Sequence, residues 1–414
     1  MQNETSAEPT PKRVYNTLIN FIRWLDIYGE TSWDHQSFFA GPVGGRAKAL
    51  YYQNKILGLG AVAPMIFFEA FLPSARKLFH HRTRFPIADA HYAMGFAYMN
   101  QSTQHAAYLD RAVHFLNVLK DTRSELYKEY CWGYPFDWLT RNGVMKQQTP
   151  LITSTPYMFE AFLQVFELDG RKEWRDVLAS IVRHACVDIK DFKISETAST
   201  CSYGPFDQGG VINAAAYRAS LLTSASQVFG DDQYWKIAER NVNFVLESQN
   251  HDGSWFYAMD GVRDFVDHFH TCFVMKGLAK VHSITGHRGC FEALGRGVEY
   301  YLKNLFDDDG LPKPFSRAPR MTVYRRELYD CAESINLCLL LRDRFPSLAA
   351  KLEIVVGGIL NDWIKPDGSF RSRQLLLGWD NMPMHRWAQS QMFRSLAYYL
   401  RSSTETGAIP GGKP

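Results

Sequence analysis

The sequence predicts an all-α ring, an (α/α)6 toroid of about six helical hairpins in a single domain, and two observations carry that prediction. Asp-Gly turns recur at Asp252-Gly253, Asp309-Gly310 and Asp367-Gly368, their glycines 57 and 58 residues apart. Each turn follows one helical pattern and precedes an aromatic loop and then a second helical pattern, with apolar residues at i, i+3, i+4 and i+7. Hairpins that cannot bury their faces alone must stack, and a ring of six closes on itself. An open superhelix of short repeats competes, but such repeats lack long aromatic loops on one side of every hairpin.

The units run along the chain in order. VYNTLINFIRWLDIY leads through SWDHQSFFAGPVGG to a helix around AKALYYQNKILGLG, read as the first hairpin. HAAYLDRAVHFLNVLKDT leads to TSTPYMFEAFLQVFELDG, and EWRDVLASIVRHACVDI to VINAAAYRASLLTSASQVFG. WKIAERNVNFVLESQ, ALGRGVEYYLKNLF and KLEIVVGGILNDWI open the last three units. Residues 1–11 read as a disordered tail, 12–402 as the toroid and 403–414 as a loose C-terminal tail.

Composition narrows the function classes. With 46% hydrophobic and 21% charged residues, the 414-residue chain is ordinary for a globular protein and long enough to bury a large core. A net charge of +3 is poor footing for a nucleic-acid protein. The seven cysteines form no CxxC pair and several sit in apolar runs, so they read as reduced thiols, and a cytoplasmic location is expected. No signal peptide or integral membrane segment is expected, because the longest apolar run contains Pro64 and Glu69.

The loops carry the candidate chemistry. In a ring they gather on one face, where rigid scaffolds commonly hold function. In order they supply Trp33 and Asp34; Trp132, Tyr134, Asp137 and Trp138; Tyr203; Trp255, Tyr257, Asp267 and His270; Tyr324 and Tyr329; then Trp379, Arg386 and Trp387. Tryptophan and tyrosine beside aspartate suit a sugar, whose C–H face stacks on the ring while its hydroxyls bond the carboxylate. The alternative is that these aromatics cap the core beneath long loops. The stretch RAPRMTVYRRELYD adds Arg325 and Arg326, whose forks match a uronate carboxylate; pairing with Asp307 to Asp309 is the competing reading. His270, and His385 in the last hairpin, each read either as an acid/base or as a structural histidine.

Two resemblances follow from these motifs. Gln249-Asn250-His251-Asp252-Gly253-Ser254-Trp255 resembles the repeat of squalene cyclases and prenyltransferases, and DFVDHFHTCF resembles the zinc-ligand histidine segment of prenyltransferase β subunits. This implies a barrel of helical hairpins, but no Asp-x-Cys precedes His270, so no metal or organic cofactor is expected. WDHQSFFAG, WGYPFDW, DHFHTCF and HRWAQSQMFRSLAYYL resemble a bacterial capsule or exopolysaccharide-biosynthesis family, itself similar to the helical C-terminal domain of heparosan-type glucuronyl C5-epimerases. That resemblance implies an acidic oligo- or polysaccharide as partner, and association with a polysaccharide assembly system.

The expectation is therefore an enzyme that removes the C5 proton of a uronate, as a C5-epimerase or a lyase. Tyr257, His270, Tyr324 and Tyr329 are the candidate proton-transfer groups, and the remaining loop residues named above would bind the saccharide. A glycoside hydrolase of the same toroid class, a non-catalytic saccharide-binding or assembly protein, and a prenyltransferase- or terpene-cyclase-like enzyme are the alternatives.

Overall fold

In the computed structural model, which describes residues 10–140 and 143–405, six inner helices form a ring inside six outer ones. The inner helices are Pro86–Thr103, Thr155–Asp169, Ile212–Phe229, His268–Thr285, Leu328–Leu341 and Ser390–Glu405. The outer helices are Thr10–Tyr28, Ala106–Asp121, Lys172–Val187, Asp232–Glu247, Arg288–Asn304 and Ser347–Gly358. Neighbouring inner helices pack side by side around the whole circle, and Ser390–Glu405 returns against Pro86–Thr103 to close it.

Sequence explains which helix goes where. The outer helix Asp232–Glu247 buries a single stripe that includes Ala238, Val242 and Val245, and is polar elsewhere. The inner helix Ile212–Phe229 is buried on nearly every side, from Ile212 through Leu222. Several inner helices end on a glycine in the left-handed region, at Gly170, Gly230 and Gly286, which reverses the chain directly into the next outer helix. These short returns lie at one end of the ring and the long loops at the other. All six inner helices therefore run parallel, with their N-termini under the loops.

The Asp-Gly turns occupy equivalent places. A Cβ on Gly253 would stand 2.3 Å from the Arg296 carbonyl oxygen, one on Gly310 2.9 Å from Ile354, and one on Gly368 2.7 Å from the Asn20 carbonyl oxygen. Each turn is thus wedged against the following outer helix, and the last is wedged against the first. The QxxDGSW segment works as this staple. Gln249 donates to the carbonyls of Gly253 and Ala293 and accepts from Arg296, while Trp255 packs over Gly297.

The first hairpin differs from the expectation. The inner helix that follows Thr10–Tyr28 in the chain is Pro86–Thr103, whose PIADAHYAMGFAYMNQST is too evenly buried to show a face. The helices at 42–53 and 55–71 are instead an insertion in that hairpin's loop. The loops also contain short strands: Val266–Asp267 pairs with Phe315–Arg317, and Tyr324–Glu327 with Arg373–Leu375, lashing neighbouring loops into a wall. The first helix begins at Thr10 and the last ends at Glu405, inside the segments read as tails; residues 1–9 and 406–414 lie outside the described residues. All seven cysteines are free thiols, six of them buried. Among the described residues no single helix is long and apolar enough to cross a membrane.

Gly368 has a φ of +90°, so a side chain there meets both backbone strain and the Asn20 carbonyl. Gly368→Ala is expected to destabilise the ring by about 1–3 kcal/mol in urea denaturation. An unchanged midpoint would show that the closing turn tolerates a side chain.

Candidate functional site

Beneath the loops, one partly exposed group from nearly every hairpin joins a continuous cluster at the N-terminal ends of the inner helices. His35 lies 4.3 Å from Trp387, ring centre to ring centre, and Trp387 stacks on Tyr329 at 4.4 Å and 9°. Phe269 bridges Trp387 to His270, and His270 meets Tyr257 edge-on at 4.7 Å. On the other side the Arg386 guanidinium lies over Tyr134 at 4.8 Å, and Tyr134 meets Trp138. The hydroxyls of Tyr134, Tyr203 and Tyr257 are close enough to influence one another.

Two polar devices stand in this aromatic setting. Asp267 caps the helix His268–Thr285 by accepting from the His270 backbone N–H at 3.0 Å, and its other oxygen accepts from His270 Nδ1 at 2.6 Å. That bond fixes the tautomer and leaves Nε2 as the open ring nitrogen of a side chain still 21% exposed. The local sequence dictates the arrangement, because a cap residue three positions before a first-turn histidine reaches both its backbone and its ring.

The second device is Arg386. Its Nε and Nη2 donate to both oxygens of buried Asp34, at 3.0 and 2.6 Å, and Nη1 points to the Tyr134 hydroxyl at 3.4 Å. Burial pushes the Asp34 carboxyl up, but Arg386 and His35 outweigh it and hold Asp34 well below the usual carboxylate range. The guanidinium therefore stays fixed and charged beside the cluster. Burial raises the Tyr134 and Tyr203 hydroxyls and takes Tyr257 to about 12, so all three hold their protons at neutral pH. They can donate there but not accept a proton. Below Tyr257 and His270 a cavity of about 10 Å³ meets Asn213, whose buried amide has no partner on either polar atom among the described residues.

Other sequence-derived candidates stand elsewhere. Trp132 and Trp255 face the core rather than the cleft: they are 1% and 3% exposed, and their indoles donate to the carbonyls of Leu119 and Val245 at the ends of outer helices. Asp34 supports Arg386 and is too buried to meet a ligand directly. Asp137 is tied on the surface to Lys146 at 2.9 Å. Arg326 is held by Asp307 and Asp309 at 2.8 and 2.7 Å, so the turn carboxylates have taken it. Arg325 is exposed at a strand irregularity. Tyr324 lies under Arg373, and Tyr329 is buried beneath Trp387, both with hydroxyls raised well above the usual range by burial. Trp33 donates to the His80 carbonyl, and Trp379 packs edge-on against Trp363. His385 is a core histidine between Tyr92 and the Gly29 carbonyl.

Sequence reading missed Phe269 and Asn213, which occupy the first turns of apolar-looking inner helices and carry no motif. It also missed the ionic layer under Trp387. There Glu327 accepts from the Trp387 indole and pairs with Arg373, which reaches Glu69, while Arg76 pairs with Asp380 at 2.6 Å. Among the described residues no cluster of three or more histidine, cysteine or carboxylate side chains could hold a metal ion.

No family model matches the chain, and no curated protein matches it. Solved structures do match its fold. An unsaturated glucuronyl hydrolase variant, described with the saccharide dGlcA-Glc-Rha-Glc, superposes with a TM-score of 0.64 at 11% identity, over 95% of this chain and 96% of that one. The cellobiose 2-epimerase of Bacillus thermoamylovorans gives 0.61 at 11% identity, over 77% and 89%. An alpha-1,6-mannanase of Salegentibacter gives 0.55 at 11% identity, over 78% and 90%. The chain has the (α/α)6 toroid fold of these structures, which are themselves carbohydrate-processing enzymes.

His385 and His268 are buried and neutral, each giving one N–H to a carbonyl and accepting from a tyrosine hydroxyl. Burial lowers them to about 4 and about 3. In the unfolded chain they titrate near 6.5, so below that pH the unfolded state binds more protons and stability falls on acidification. At pH 5 each histidine is expected to cost about 2 kcal/mol relative to pH 7.5. Calorimetry should show Tm dropping over this range with proton uptake on unfolding; a flat Tm down to pH 5 would contradict it.

Proposed function

We propose that this protein is a carbohydrate-active enzyme that moves the C5 proton of a uronate residue, epimerising C5 or eliminating across C4–C5. The single observation that carries the reading is the Asp267-oriented His270, an open imidazole nitrogen inside an aromatic cluster suited to a sugar ring. Removing a proton next to a carboxylate requires a base and a cation that stabilises the developing enediolate. His270 Nε2 is the base in this reading. Arg386 Nη1, with the Tyr134 hydroxyl, meets the carboxylate in place of Arg325 and Arg326. The N-termini of six parallel helices also favour an anionic substrate at this end of the ring.

The protonated tyrosines supply the acid. Return of a proton to C5 from the opposite face gives the epimer, whereas protonation of the leaving O4 gives the unsaturated product. Asn213 offers its amide to a sugar hydroxyl. The resemblance to a capsule or exopolysaccharide family supplies the setting of an acidic polysaccharide, and that setting belongs to the proposal.

Hydrolysis is the second reading, and Asp330 favours it. Burial and the nearby carboxyls of Glu327, Asp267 and Glu333 push Asp330 well above the usual range, which favours its protonated form. A general acid of a glycosidase needs that state, but Asp330 is 0% exposed, whereas His270 reaches the surface of the cluster.

Incubation with glucuronate polymers in D2O separates the outcomes. Deuterium at C5 means epimerisation, new absorbance near the ultraviolet edge means elimination, and new reducing ends mean hydrolysis. His270→Gln is expected to slow proton transfer by about 10²–10⁴-fold with the fold intact. Arg386→Lys should weaken uronate oligomers more than neutral ones. Full isotope exchange in His270→Gln would remove the histidine from the reaction.

A further inference from the structure

The insertion in the first hairpin carries a surface for which the cleft has no use. Its helix Lys55–Phe71 is apolar on two sides. The inward stripe, Gly58, Val62 and Met65, packs with Phe38 and Ala47 into a small core separate from that of the toroid. The outward stripe exposes Ile56 at 83%, Leu57 at 63% and Phe67 at 53%, and Leu78 beyond the helix is 85% exposed. A contiguous apolar face of this kind marks an interaction surface, and an all-apolar helix half in contact with protein marks a boundary with a second apolar phase.

Charge identifies the phase. From Pro42 to Phe79 the chain has Arg46, Lys48, Lys55, Arg76 and Lys77 against a single carboxylate, Glu69. Glu69 is engaged by Arg373 at 2.7 Å and Arg76 by Asp380, so Arg46, Lys55 and Lys77 are the exposed charges beside the apolar stripe. Arg320 of a neighbouring loop lies near enough to act on Lys48, which adds a further cation next to the insertion. An apolar stripe on an insertion whose exposed charges are all cations fits the headgroup and acyl boundary of an anionic bilayer. Isologous pairing with a second copy would set the same cations against one another.

We propose that the insertion Pro42–Phe79 docks this protein on anionic membrane surfaces, with Ile56, Leu57, Phe67 and Leu78 entering the interface and Arg46, Lys55 and Lys77 among the headgroups. The insertion lies on the membrane and does not cross it, because its inward stripe is occupied and Lys55–Phe71 makes a 120° bend with the helical segment Pro73–Phe79 that follows. Helix Pro42–Gln53 packs on strand Trp138–Thr140, whose Trp138 ring meets Tyr134, so the insertion adjoins the cleft. The docking itself is independent of the reaction proposed above.

Vesicle flotation of the full chain tests this, using phosphatidylcholine vesicles with and without about 30% phosphatidylglycerol. The protein should float with the anionic vesicles, stay behind with neutral ones, and be released as salt is raised to about 0.5 M. Leu57→Glu with Phe67→Glu, both at exposed positions, should reduce binding at least about tenfold at unchanged Tm, and Lys55→Glu with Lys77→Glu should do the same. No flotation of the wild type at any charge density overturns the proposal. So does a concentration-dependent dimer in light scattering that Leu57→Glu/Phe67→Glu dissolves while vesicles go unbound, since a second copy then covers the face.

Discussion

Ring closure is the constraint from which the rest of this structure follows. The inner helix Pro86–Thr103 must lie against Ser390–Glu405, and at the crossing a Cβ on Gly95 would come within 2.6 Å of the Phe393 ring and 3.3 Å of the Arg394 backbone. Glycine removes that obstacle. Phe393 then packs against Phe21, Tyr92 and Phe96, so the first and last units share one aromatic core. Closure also carries Arg386 to Asp34, residues from opposite ends of the chain. The candidate cation of the cleft exists only in the closed ring.

A closed ring of helices buried on every side creates a second demand. Polar groups that face the axis have no water to turn to, so they must satisfy one another. Lys276 pairs with Glu333 and touches the Tyr157 hydroxyl, which in turn bonds Tyr217 at 2.7 Å. Lys280 and Arg394 share Glu160. His91 sits among these cations, and burial, Arg394 and Lys276 together keep it neutral. The axis is a polar column drawn from all six inner helices.

The loops divide along the same line between scaffold and surface. Equivalent positions do equivalent structural work: Trp132 and Trp255 both donate to the end of an outer helix, and the Asp-Gly turns all wedge against the next outer helix. In these two loops the residue two positions beyond the stapling tryptophan, Tyr134 or Tyr257, reaches the cluster. A cyclase-like motif was therefore informative about architecture for a physical reason. The staple fastens a loop to an outer helix wherever it recurs, whatever chemistry the mouth of the ring carries.

The sequence by itself determined the hairpin grammar, the one-sided placement of the loops, and the Asp267–His270 pair. These rest on local spacing, and local spacing fixes helix faces, turn geometry and N-caps without reference to the rest of the chain. The first hairpin was misread because Pro86–Thr103 has no polar face to display, while the apolar insertion looked like the missing inner helix. Only the tertiary structure decided which aromatics face the cleft and which face the core, since both kinds sit in the same loops with the same neighbours. It also decided the arginines. Arg326 lies 17 residues from Asp309 and pairs with it, whereas Arg386 lies 352 residues from Asp34 and is free to serve the cleft only because the ring brings that carboxylate behind it. The Arg326 pairing was one of the two readings the sequence left open, whereas a partner 352 residues away leaves no mark in the local pattern, because closure of the ring, not the chain near each residue, sets that distance.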